Sequence, residues 1–242
     1  MASPLVPSRR LDPEWMDRTD NRPEDVNGAL ADIRKVNRFL RGSKILVAAV
    51  RPFLLARSGG EPLSILDVGT GGADLPLDLV REARRVGRRI RIVAVDRDPA
   101  TLDYARGRTA GVPEIELLSA DAFALPFPPA SFDLVTASLF LHHFGHDDAV
   151  RLLAAFRRLA RAAVLINDLE RHVFPWAFIG LAARIMRRHP MFVHDAPLSV
   201  LRGFTAEELA AAAREAGASD ATVVHRIPYR LLLKIPGAGP VR

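Results

Sequence analysis

"ILDVGTGGADLPLDL", from Ile65 to Leu79, decides the fold. Its first four residues, apolar but for Asp67, end at Val68, its centre is a glycine turn, and an amphipathic run follows. This order reads as strand, tight turn, helix. Glycine at 69 and 71 lets the backbone approach a ligand with dihedrals that other residues avoid. Such turns cradle nucleotide cofactors in α/β proteins. A dinucleotide fingerprint, G-x-G-x-x-G, would put a third glycine at position 74, but Asp74 stands there. Instead Asp67 precedes the turn, giving D-x-G-x-G and an acceptor at the strand's C-terminal end.

Outward from this turn the pattern alternates. Strands are predicted at 64–68, 90–96, 115–119, 132–137 and 162–167, and helices at 72–85, 99–108 and 147–159. "RIVAVD" and "AAVLIN" are continuously apolar, as strands buried on both faces require. Upstream, residues 1–21 are polar and proline-containing and are expected to be mobile. Apolar spacing predicts a helix over 23–40 stopped by Gly42, then a second helix capped by Ser43 and kinked or broken at Pro52. Downstream, 173–188 reads as helical, and Thr205 caps a helix running to 216 with Gly217 as its stop. Two strands close the chain, 221–226 and 230–235, joined by a short turn containing Pro228, so they must be antiparallel. The expected fold is α/β: a seven-stranded, mostly parallel Rossmann-like sheet with a C-terminal antiparallel hairpin and helices on both faces.

Composition narrows the function. The 242 residues are 49% hydrophobic and 26% charged, enough for a packed core. Absence of cysteine excludes disulfides, thiolate metal sites and cysteine nucleophiles. No apolar run reaches the ~18 residues of a membrane span. Met1–Arg10 has no apolar stretch ahead of a cleavage site, so a cytoplasmic location is expected. The net charge of +6 is carried almost wholly by arginines spread along the chain, with lysine only at 35, 44 and 234. Spread charge of this kind argues against a nucleic-acid partner.

The second predicted strand ends in Asp96, where a carboxylate can accept from both hydroxyls of a ribose. "SADAFALPF" follows the third strand and puts Asp121 where an adenine amino group could donate to it. The fourth strand ends in Ser138 and runs into His142 and His143. In "ILDVGTGGADLPL", "IVAVDRDPATLDYAR", "ADAFALPFPPASFDLVTASLFLHHF" and "AVLINDL" the chain resembles the class I S-adenosylmethionine-dependent methyltransferases. The likeness runs from about residue 63 to 170, and its "ADAFALPF…SFDLV" segment is nearest the small-molecule enzymes of quinone and natural-product biosynthesis. It implies S-adenosylmethionine as cofactor. It implies that Asp67, Gly69, Thr70 and Gly71 line the methionine end, that Asp96 holds the ribose and that Arg97 lies beside the adenine. Asp121 and Ala122 would then contact the adenine edge, with Ser138 near the cofactor beneath the methyl group. One departure is Ala73, where many relatives carry glycine.

Methyl transfer from a sulfonium is an in-line displacement, so the protein must mainly align the nucleophile and exclude water. A phenol or other hydroxyl also gains from losing its proton, and a histidine titrating near neutrality suits that task. His142 or His143 is the expected base or acceptor orienter. A metal-dependent mechanism would need oxygen ligands after both the fourth and fifth strands. Only Asn167-Asp168 offers them, so no metal is expected, and Asp168 and Glu170 are read as positioning substrate or capping the next helix. Residues 171–204 are read as the acceptor-pocket insertion, with Trp176, Ile179, His194 and Arg202 as substrate contacts. Residues 1–60 would form a helical lid, with Arg34, Asn37, Arg38 and Phe39 over the cofactor, and 61–242 the methyltransferase domain. The resulting expectation is oxygen methylation of a small aromatic or polyketide-like acceptor. Carbon methylation of a quinone-type precursor is the alternative, RNA methylation is disfavoured, and a homodimer stays open.

Overall fold

The computed structural model describes residues 5–18, 20–39, 42–57, 60–186 and 188–237. Two helices, α1 (Pro23–Phe39) and α2 (Gly42–Ala56), precede the first strand. Then follow β1 (Leu63–Val68), α3 (Asp74–Arg85), β2 (Ile90–Asp96), α4 (Pro99–Thr109), β3 (Ile115–Ser119), β4 (Phe132–Ser138) and α5 (His146–Leu159). β5 (Ala160–Leu169), α6 (Val173–Ile185), α7 (Pro190–Arg202), α8 (Ala206–Glu215), β6 (Thr222–Arg226) and β7 (Arg230–Pro236) complete the chain.

The seven strands run β3-β2-β1-β4-β5-β7-β6. β1 to β5 are mutually parallel, while β7 lies antiparallel between β5 and β6. This is the expected sheet, with helices packed on both faces. One face buries Leu152 and Phe156 of α5 and Leu209 of α8 against Val135, Val164 and Leu233. The other buries Leu46 and Leu54 of α2 and Leu79 of α3 against Ile65, Ile92 and Leu165. Strand order reverses at β1, whose neighbours are β2 and β4, so a crevice opens beyond the carboxyl ends of those strands.

Several local expectations are corrected. Gly42 does not stop α1 but opens α2, where a Cβ would press to 3.3 Å from Asn37 Oδ1. Leu40 and Arg41 lie outside the described residues, as do the side chains of Arg38 and Phe39. Ser43 lies inside the first turn of α2 and donates to Asp78 rather than capping, and the helix runs on through Pro52. The helix read over 173–188 ends at Ile185, and α7 follows it. Two prolines hid α7: Pro190 sits in its first turn, where the missing N–H costs nothing, and Pro197 lies inside it. Neither Asp168 nor Glu170 caps α6; His172 does, its Nδ1 accepting from the Phe174 amide at 3.2 Å. The segment before α1 is held, not free. Asp195 accepts from the amides of Trp15 and Met16 at 2.8 and 3.0 Å, and Arg202 donates to the Asp12 carbonyl at 2.6 Å.

Candidate active site

A single cavity of about 1970 Å³ occupies the crevice. That exceeds the usual few hundred to 1,000 Å³ of a one-ligand pocket, so it has room for two molecules side by side. Asp67, Gly69, Thr70, Gly71, Asp96, Arg97, Asp121, Ala122 and Ser138 all line it, and so do His142, His143, Ile179 and Arg202. Trp176 and His194 do not. They line a separate surface groove, where the Trp15 ring stacks on His194 at 4.1 Å.

The turn after β1 is shaped around open space. Gly69 and Gly71 have φ of +67° and +54°, the left-handed region that favours glycine. A Cβ on Gly69 would overlap the Phe140 ring, whereas one on Gly71 meets nothing within 4 Å. Thr70 Oγ1 is buried beside the Asp67 carboxyl, which its hydroxyl helps to stabilise, and it makes no closer hydrogen bond among the described residues. Ala73 has φ +58°, in the left-handed region that favours glycine. Asp96 accepts from the Gly71 amide at 2.9 Å and the Asp98 amide at 3.2 Å, tying the ends of β2 and β1 together. Asp121 accepts from the Phe123 amide at 2.9 Å, so it shapes its own turn while facing the cavity.

Two carboxyls at this end are short of positive charge. Asp67 is buried, and burial pushes its carboxyl up to about 7 despite the Thr136 hydroxyl bonded to it at 2.8 Å; the Asp96 charge adds to the rise. Burial also raises Asp96, against the amides that bond it. An ammonium and a ribose diol would satisfy both groups. The buried Asp67 and Asp96 carboxyls and the open glycine turn fit a nucleoside sulfonium carrying an amino acid.

At the other end, Leu139 takes φ +55° as the chain leaves β4, and the helical turn at Leu141–His143 follows. His142 is buried and lines the cavity. Its Nδ1 lies 2.6 Å from Asp168 Oδ1, and its amide donates to Asp168 Oδ2 at 3.0 Å. Burial opposes a charge on Asp168, but His142 and the amides hold its carboxyl below the ordinary range. Nδ1 is therefore the protonated nitrogen, and Nε2 is left free. Glu14 Oε1 stands 3.8 Å from that Nε2. Burial raises the Glu14 carboxyl. His143 Nδ1 faces Asp17 at 3.3 Å. One ring nitrogen from each histidine and a Glu14 oxygen lie within 4.8 Å of one another. Arg202 spends its guanidinium on the carbonyls of His142 and His143, at 3.2 and 2.6 Å, and so fixes the histidine turn from behind.

Sequence reasoning missed Asp168 as the partner of His142, because 26 residues separate them and only the parallel pairing of β4 and β5 joins their strand ends. It also missed Glu14 and Asp17. Their one sequence signal is the pair Trp15-Met16 inside an otherwise polar leader.

Comparison with known proteins agrees with this architecture. Residues 65–163 match the family model described as "Methyltransferase domain". The chain is 38% identical over 99 residues to the 2-phytyl-1,4-naphtoquinone methyltransferase of Thermosynechococcus vestitus, covering 41% of this chain and 40% of that protein. It is 33% identical over 139 residues to the demethylmenaquinone methyltransferase of Deinococcus radiodurans, covering 57% and 53%. The chain thus spans about half the length, or less, of these curated relatives. The solved structure of PigF with SAH superposes with a TM-score of 0.63 at 19% identity, over 93% of this chain and 63% of that one. Residues 65–163 thus resemble a methyltransferase domain, and the seven strands form a Rossmann-like sheet. Among the described residues no helix is long and apolar enough to cross a membrane.

Proposed function

We propose that this chain, whose core is a methyltransferase domain, moves a methyl group from S-adenosylmethionine to an oxygen of a small aromatic or polyketide-like acceptor. The observation that carries the reading is the Asp168–His142 pair on the wall of a two-ligand cavity, beyond the glycine turn. In this reading Asp67, Gly69, Thr70 and Gly71 hold the methionine end, Asp96 the ribose with Arg97 beside the adenine, and Asp121 and Ala122 the adenine edge. Ser138, on the cavity wall, would lie near the cofactor under its methyl group. Bound S-adenosylmethionine supplies a methyl already activated by its sulfonium. His142 Nε2 takes the proton of the acceptor hydroxyl, whose oxygen would receive the methyl that the cofactor would supply, its sulfur leaving as the neutral thioether. Asp168 holds the ring tautomer and steadies the imidazolium. His143, held by Asp17, orients the acceptor. Ile179 and the apolar residues of α6 cover it, while α1 and the preceding segment close the cavity as a lid.

The naphthoquinone relatives favour a second reading, methylation at carbon of a quinol-type ring. The same histidine would then remove a ring hydroxyl proton and raise the carbon's nucleophilicity.

Calorimetry with S-adenosylhomocysteine tests the cofactor assignment. Micromolar binding by the wild type and its loss in Asp96→Ala is the expected result; no binding by the wild type ends the proposal. Mass fragmentation of a methylated product separates oxygen from carbon methylation.

A further inference from the structure

Arg230 opens β7, opposite Leu169 of β5. It is 3% exposed, yet it lines the cavity. Its Nη2 donates to Asn37 Oδ1 at 3.2 Å, and its Nη1 is buried with no partner among the described residues. The one charge that offsets its burial is Asp168, and Asp168 is already paired with His142. A guanidinium so placed is under-satisfied: burial removes its water, and the chain returns too little in exchange. Burial accordingly depresses Arg230 to about 10. Its planar fork matches an anionic oxygen, and its buried Nη1 leaves one N–H without an acceptor among the described residues.

Position along the sheet separates this group from the cofactor end. β7 is the third strand over from β1. At about 4.8 Å between neighbouring strands, Arg230 stands roughly 14 Å along the sheet from Asp67. Leu169 pairs with it across the sheet, Tyr229 precedes it in the chain and Asn37 of α1 takes its Nη2, and all three line the cavity.

We propose that Arg230 is an anion anchor in the acceptor half of the cavity, and that the acceptor carries an acidic oxygen besides the hydroxyl presented to His142. That oxygen is a carboxylate or an ionised phenol or enol on an aromatic ring. The inference rests on the methyl-transfer reading, since it needs the other half of the cavity to be filled by the cofactor. The methyl donor has a carboxylate of its own, so the test must tell the two anions apart.

The probes are 1-hydroxy-2-naphthoate and 1-naphthol, titrated into protein saturated with S-adenosylhomocysteine. The wild type is expected to bind the carboxylated probe at least ten-fold tighter. Arg230→Met should abolish that preference while leaving 1-naphthol and S-adenosylhomocysteine affinities within two-fold. Arg230→Lys, which keeps the charge without the fork, should retain part of the preference and reports independently if the methionine variant does not fold. Equal binding of both probes by the wild type overturns the proposal. So does a ten-fold loss of S-adenosylhomocysteine affinity in Arg230→Met with the preference intact, which would assign the anchor to the cofactor carboxylate. Failure of the wild type to bind S-adenosylhomocysteine is read from the cofactor titration alone. It sinks the methyl-transfer reading and the acceptor role of Arg230 together.

Discussion

Asp168 grips His142 at two points: Oδ1 lies 2.6 Å from the ring Nδ1, and Oδ2 accepts from the backbone amide at 3.0 Å. The ring is thereby fixed in orientation and tautomer before any acceptor arrives. His142→Ala should lower kcat by about 10²–10⁴, the span typical for loss of a general base. Asp168→Asn should lower kcat with little change in KM, because it spoils the tautomer and not the pocket. S-adenosylhomocysteine affinity, measured by calorimetry, should stay within two-fold in both. A kcat for His142→Ala within three-fold of wild type would remove His142 as the base.

Asp67 makes cofactor binding depend on pH. Its folded pKa of about 7 lies above the ordinary 3.8, so the folded chain keeps this proton at pH 5 and loses it by pH 8. A cofactor ammonium needs the carboxylate, so affinity should rise with pH up to about 7 and level off above. Near pH 6 binding should release close to one proton, seen as heats that vary with the buffer's ionisation enthalpy. The linkage for folding has the opposite sense. A raised acid pKa favours the folded state below it, and this favour is lost as pH climbs from about 4 through 7, by about 4 kcal/mol at most. Asp67→Asn should therefore raise Tm at pH 8 much more than at pH 5, and weaken cofactor binding at both.

Gly69 and Gly71 should fail in different ways. Alanine at 69 meets the Phe140 ring and a left-handed backbone together. It should cost about 1–3 kcal/mol of stability as well as binding. Alanine at 71 has open space around its Cβ. It should cost about 1–2 kcal/mol, yet abolish measurable cofactor binding by filling the cradle. Ala73→Gly, at φ +58°, should relieve strain of similar size and raise Tm. Denaturant melts beside calorimetry separate the three.

Asp195 ties down the segment over the cavity through the amides of Trp15 and Met16. Each bond to a charged acceptor is worth about 1.5–3 kcal/mol. Asp195→Ala should speed trypsin cleavage after Arg18 by ten-fold or more, while the melt of the remaining fold shifts little. Unchanged cleavage would show that other contacts hold the segment.

Glu14, His142 and His143 come within metal-binding distance of one another. The Arg202 guanidinium, however, stands 3.8 Å from Glu14 and 3.5 Å from Asp17, and would repel a divalent cation. Dialysis against EDTA should leave the methyl-transfer rate unchanged, and added zinc should not raise it. A metal-restored activity would make these three residues ligands instead.

The sequence by itself determined the sheet and the cofactor-facing turn, because both are written in local signals. Apolar runs fix which segments are buried strands, glycines at 69 and 71 fix the turn, and Asp67 and Asp96 fall at strand ends by count alone. Thr205 and Glu208 announced the capping box of α8 in the same way. What the tertiary structure alone decided are pairings between distant segments: Asp168 with His142, Asp195 with Trp15, Arg202 with the histidine turn. Charged residues near an active centre look alike in sequence, and only packing shows which are spent on partners and which face the cavity. Arg202 and Arg230 illustrate this. Both are buried arginines on the cavity wall, but one is used up by carbonyl oxygens while the other keeps a buried N–H without a partner among the described residues. The difference comes from which backbone passes within 3 Å, and no periodicity in the chain encodes that.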